Sequence, residues 1–210
     1  MLTGSPQGLH WVLWFLTLLG LVIRVTAVLA LNDYRNPVTA EYGIVASNLV
    51  AGKGFVGGGW LGPEAPTALN TPIYPLFLAA WLWLNVPWPF LGVQLSQALL
   101  SALVIYLAGQ IALRLINPRT SLLAALLVTF YPPLVYFCKQ ISPAIFTTFF
   151  AIFSFYILLL FFNKPTWSRA ITLGLVLGIS LLVEPVLLLA IPGVALINGS
   201  FAHFCSRLAQ

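Results

Sequence analysis

The sequence predicts an all-α, polytopic membrane protein: a bundle of transmembrane helices with an amphipathic juxtamembrane helix in its first external loop. Three observations carry this. Sixty per cent of residues are hydrophobic and six per cent are charged, whereas a soluble domain carries about 25% charged residues. No Asp, Glu, Lys or Arg occurs between Glu64 and Arg114, between Arg119 and Lys139, or between Lys139 and Lys164. Each gap is long enough for the roughly 20 apolar residues that cross a bilayer as helix. Finally, stretches such as Ala151 to Phe162 are apolar nearly throughout. The strands of a closed barrel, the other spanning solution, would alternate instead.

The first span covers about 9–31, with Trp11 and Trp14 at the near interface. It lacks a basic leader, and its apolar run is longer than the core of a cleaved signal, so it reads as a retained helix. Arg24 lies inside it, and two readings stand: snorkelling to the interface, or an internal partner for an anion.

Residues 32–71 form the only long polar segment and hold Asp33, Glu41 and Glu64. Within it Tyr42, Val45, Ala46, Leu49 and Val50 recur at helical spacing, which predicts an amphipathic surface helix over about 39–51. Asn36-Pro37 or Thr39 can start it and Gly52 can end it. Glu41 then sits in its first turn. A Gly/Pro-rich loop, 54–66, follows. The apolar stretch 73–86, closed by Pro87 and Pro89, reads as an interfacial or partial helix. Further spans are expected at about 90–116, 121–137 and 141–162. The last apolar stretch divides at Glu184-Pro185 into 170–183 and 185–197.

Basic residues set the orientation. With the N-terminus cytoplasmic, the turns carrying Arg114 and Arg119, and Lys164 and Arg169, both fall inside, and the acidic loop faces out. The expected location is the plasma (inner) membrane, multi-pass. The net charge of +5 is scattered rather than clustered, which argues against a nucleic-acid partner.

Four acidic residues are the whole supply for acid–base or metal chemistry. Cys138 and Cys205 have no metal-ligand spacing. No phosphate-binding loop, Cys-x-x-Cys or His-Glu-x-x-His is present. Glu184, beside a proline in an apolar stretch, supports a helix break or marks a ligand site. The second reading would suit a transporter module.

The first loop carries a fuller pattern. Ala40-Glu41-Tyr42, Ala46, Asn48-Leu49 and Gly52-Lys53-Gly54-Phe55 precede Pro72-Ile73-Tyr74-Pro75. Tyr131-Pro132 and the run ending in Glu184-Pro185 follow. Together these resemble the N-terminal half of GT-C superfamily membrane glycosyltransferases, of the protein mannosyltransferase and lipid A aminoarabinose transferase type. The resemblance implies transfer of a sugar from a polyprenyl-phosphate-linked donor to an acceptor on the outer face. It implies Glu41 as the catalytic carboxylate, with Asp33 the alternative. Glu41 would act as a general base or hold a divalent metal ion. It further implies Arg24, Tyr42, Lys53, Tyr74 and Glu184 as substrate-binding residues, and a partner chain to supply the missing C-terminal half. The pattern departs from the family where many relatives carry an Asp-Glu pair: Val38 and Thr39 stand here. The turn after the third full span carries Lys139 in place of an acid. These departures keep open a non-catalytic or degenerate membrane subunit of the same fold.

Overall fold

The computed structural model of the chain describes residues 6–59, 62–68 and 70–189. Eight α-helices are found among them: α1 (Pro6–Leu31), α2 (Ala40–Val50), α3 (Ile73–Trp83), α4 (Pro89–Leu115), α5 (Pro118–Thr129), α6 (Pro132–Phe137), α7 (Ala144–Asn163) and α8 (Trp167–Val183). Short 3-10 turns lie at Asp33–Arg35 and Pro185–Leu189. Among the described residues, α1, α4 and α7 are long and apolar enough to cross a membrane. The apolar helices α3, α5 and α8 have 11, 12 and 17 residues. At 1.5 Å per residue each is shorter than a core of about 30 Å.

The predicted helix over 121–137 is two helices. Tyr131 takes an extended conformation (φ −70°, ψ 107°) before Pro132 and Pro133. The first proline disfavours the helical region for the residue before it, and neither can donate an N–H to the preceding turn. Asn117 starts α5: its side chain accepts from the Thr120 N–H at 2.9 Å, and Pro118 follows. Thr166 starts α8 in the same way through the Arg169 N–H. Gly52, at φ 76°, closes α2, and the Lys53 N–H returns to the Asn48 carbonyl at 2.9 Å.

The Gly/Pro-rich loop holds an antiparallel hairpin, β1 (Val56–Gly59) and β2 (Gly62–Pro66), with Val56 opposite Pro66 and Gly57 opposite Ala65. The part of the expected stretch 185–197 beyond Leu189 lies outside the described residues.

Helix α4 is the central element. On one side Leu13, Leu16, Ile105 and Ala125 join α1, α4 and α5. On another, Val28, Ala98, Cys138 and Ile145 join α1 and α4 to α6 and α7. The third cluster contains Ala46 of α2, Tyr74, Leu78 and Ala79 of α3, Val93 of α4, Ile141, Phe146 of α7 and Val183 of α8. This last cluster draws the surface helix α2 onto the membrane bundle.

Arg24 neither snorkels nor faces an open site. It is fully buried. Its Nε donates to Ser101 Oγ at 2.7 Å, Nη1 to the Gly20 and Thr129 carbonyls at 3.0 and 3.2 Å, and Nη2 to the Val128 carbonyl at 3.0 Å. Val128 and Thr129 end α5, where carbonyls have no partner within their own helix. Arg24 therefore caps α5 from α1, and the carbonyl end of the α5 dipole favours its charge. Arg24→Lys is expected to lower thermal stability in detergent, because one ammonium nitrogen cannot reach the four acceptors that three guanidinium nitrogens span. Each abandoned buried carbonyl costs about 1–3 kcal/mol. An unchanged melting temperature would show that the cap contributes nothing.

Candidate functional site

The first turn of α2 carries Glu41 and Tyr42. Val45 and Ala46 are fully buried, while Val50, on the far turn, is exposed. The helix therefore rests on α3 along the face expected from its spacing. Asn48 is also buried, and its Nδ2 donates to the Val56 carbonyl at 3.0 Å. That bond fixes β1 beside α2. A methyl group on Gly57 would lie 2.9 Å from Glu41 Oε1 and 2.9 Å from Thr67 Cγ2, so the glycine leaves room for the Glu41 carboxylate to lie against the strand.

Tyr42 meets Tyr74 edge to face, with centroids 5.3 Å apart. Tyr74 is fully buried and donates its hydroxyl to Gln97 Oε1 at 2.8 Å. Thr71, just before α3, donates its hydroxyl to the Val183 carbonyl at 2.7 Å. Val183 belongs to the same cluster as Tyr74, and Tyr42 packs against it. The next residue is Glu184, which ends α8 in an extended conformation. Burial pushes the Tyr42 hydroxyl above the ordinary phenol range, and the negative charges of Glu184 and Glu41 push it further. Glu41, Tyr42, Tyr74 and Glu184, from three separate stretches of sequence, thus come to one place.

Other expected site residues are engaged elsewhere. Arg24 is enclosed by α4 and α5, as described. Lys53 pairs with Glu64 at 2.9 Å, both about half exposed. Asp33 pairs with Lys139 at 2.6 Å, and this contact holds the Lys139 ammonium above the usual lysine range. Beside it Tyr34 stacks on Trp88 at 5.2 Å and Arg35 lies 4.9 Å over the same ring. Among the described residues no group of three or more His, Cys, Asp or Glu gathers as a metal site. A shallow apolar groove of about 330 Å³ runs between α2 and α3, lined by Leu49, Val50, Leu76, Ala79, Ala80 and Trp83.

Gln97 and Thr71 are not among the residues expected from the sequence. The signal for Gln97 was present: Gln94, Gln97 and Ser101 lie three and four residues apart in an otherwise apolar span, and polar side chains inside a span face its interior. Thr71 had no such mark.

The juxtaposition is testable by titration. Glu41→Gln and Glu184→Gln are each expected to lower the Tyr42 pKa, since removing a negative charge eases phenolate formation. Neither should return it to the ordinary value, because burial is the larger cause. A raised phenol pKa favours the folded state at pH below the ordinary phenol value, and that contribution is lost as pH rises through the raised one. Alkaline ultraviolet titration, differenced against Tyr42→Phe, reads the shift. A Tyr42 pKa unmoved by both changes would place the carboxylates out of reach.

No curated protein and no solved structure matches this chain. The profile of the dolichyl-phosphate-mannose-protein mannosyltransferase family matches residues 69–208. The matched part contains Tyr74 and Glu184 and begins after Arg24, Asp33, Glu41 and Lys53. With two thirds of its length matched, the chain belongs to the dolichyl-phosphate-mannose-protein mannosyltransferase family, a GT-C family of membrane glycosyltransferases.

Proposed function

We propose that the protein moves a sugar from a polyprenyl-phosphate-linked donor to an acceptor on the outer face of the membrane, with Glu41 as the reacting carboxylate. One observation carries this reading. Of the four acidic residues, Asp33 and Glu64 are neutralised by lysines, while Glu41 and Glu184 have no ion-pair partner among the described residues and act on one phenol. A carboxylate tied to an ammonium has an oxygen occupied, whereas no ion pair holds Glu41 among the described residues.

In this reading the acceptor hydroxyl hydrogen-bonds Glu41. Its oxygen attacks the anomeric carbon as the proton passes to the carboxylate. The bond from that carbon to the donor phosphate oxygen breaks, and the polyprenyl phosphate departs with the electron pair. The apolar groove between α2 and α3 suits an isoprenoid chain. Glu41 and Glu184, both acting on the Tyr42 phenol, would offer a metal ion oxygen ligands only. This fits a hard divalent cation, which commonly takes one or two carboxylates and completes its shell with water and phosphate. Such an ion, when bound, would supply positive charge to the leaving phosphate. Arg24 is held by Ser101 and backbone carbonyls, and Lys53 pairs with Glu64.

Glu41→Gln is expected to reduce transfer by about 10²- to 10⁴-fold, the usual worth of a positioned general base. Asp33→Asn should leave most of the activity. The assay is transfer from radiolabelled polyprenyl-phosphate sugars in membranes expressing the protein. Loss with Asp33→Asn and retention with Glu41→Gln would move the chemistry to the other carboxylate.

An outer-face position for the first loop is tested separately. Single cysteines at Glu64 and Arg119, both exposed, are introduced after Cys138 and Cys205 are replaced. An impermeant maleimide on intact cells is expected to label position 64 and not 119. The opposite pattern would invert the protein in the membrane.

A further inference from the structure

We propose that Gln97, fully buried near the start of α4, is a positioning residue for the Glu41 site, acting through Tyr74 on Tyr42. The inference rests on the transferase reading for its effect on catalysis but not for its geometry.

The Gln97 carboxamide has two protons on its nitrogen and an oxygen that accepts. The nitrogen donates to the Gln140 carbonyl at 2.7 Å and the Cys138 carbonyl at 3.1 Å. Both carbonyls lie just past α6 and have no helix to satisfy them. With both protons committed, the orientation of the amide is fixed, and its oxygen is presented to Tyr74. The Tyr74 hydroxyl donates to it at 2.8 Å. Gln94, one turn earlier, donates to the intervening Lys139 carbonyl at 2.7 Å. Three successive carbonyls are therefore held from α4, and the turn that carries them cannot shift relative to Gln97.

Tyr74 in turn has little freedom. Its ring lies edge-on to Phe146 at 5.5 Å and to Tyr42 at 5.3 Å. Its hydroxyl is anchored at the far end from α2. A tyrosine held at both ring and hydroxyl is a stiff strut, and Tyr42 rests on it. Tyr42 follows Glu41 in the first turn of α2, so the strut sets where the Tyr42 ring stands beside Glu41. In an apolar interior the arrangement is held firmly, because an unpaired hydroxyl or amide there costs several times what a paired one gains.

The test uses the full chain with 3-fluorotyrosine at position 42, read by fluorine NMR in detergent, beside the transfer assay. Gln97→Leu is expected to move or broaden the fluorine line. Tyr74→Phe, which keeps the ring and removes the hydroxyl, should move it in the same sense. The double variant should show no further change, because both substitutions cut one connection. In the assay Gln97→Leu should lower kcat by about 10²-fold, the scale of a small misplacement, with KM for the donor unchanged. Should Gln97→Leu fail to fold, Tyr74→Phe carries the test alone. A line at position 42 indifferent to Tyr74→Phe, or effects of the two changes that simply add, overturns the proposal. If the fluorine results hold and no transfer is found even in the unaltered protein, Gln97 keeps its positioning role and the transferase reading falls.

Discussion

The buried polar seam of α4 is the constraint on which the rest of the bundle depends. Helices that stop inside an apolar medium leave carbonyls without partners, and lipid offers no replacement. Helix α5 stops that way at Thr129, and α6 does so at Phe137. Both ends are satisfied at α4. Ser101 receives Arg24, which covers the end of α5. Gln94 and Gln97 cover the carbonyls after α6. Without the seam, the carbonyls at the break before Pro132 and in the turn after Phe137 would lose these partners. The same side chains therefore permit the broken path of the chain and determine where its turns lie.

That path is what brings the candidate site together. The Glu41 carboxylate comes from a surface helix, Tyr74 from a short apolar helix and Glu184 from the end of α8. None is near another in sequence. The third cluster, with Val183, Tyr74 and Ala46 at its centre, provides the apolar attraction. Hydrogen bonds from Thr71 to Val183 and from Asn48 to Val56 fix the register. Apolar burial is not directional, whereas these bonds are, and a site needs the second kind of restraint to hold a carboxylate in place.

Much of this was legible in the sequence, and the parts that were not share a cause. The periodicity of Tyr42, Val45, Ala46 and Leu49 marked α2, and Gly52 marked its end, because both signals are local. The joint pattern around Glu41, Tyr42, Tyr74 and Glu184 named residues that the fold assembles. The division at Tyr131 was hidden because apolar residues continue on both sides of Pro132, and composition cannot separate one span from two short helices. The hairpin was hidden because Val56-Gly57-Gly58-Gly59 has no alternation to read. Arg24 was ambiguous for a deeper reason. Whether an intramembrane arginine faces lipid, ligand or backbone depends on where other helices stop, and that is a property of the assembled bundle.

Charge pairing is the strongest discriminator between the two first-loop acids. Composition treats Asp33 and Glu41 alike: both are acidic, and both lie in the first loop. The fold separates them. Asp33 is drawn to Lys139, in the turn where many relatives of the family pattern would carry an acid, and its charge is cancelled there. Glu41 lies against the glycine strand with no ion-pair partner among the described residues, and its charge and that of Glu184 both act on the Tyr42 phenol. The lysines at Asp33 and Glu64 suit those two acids to holding the loop in place, and Glu41 is the first-loop carboxylate left without an ion pair among the described residues.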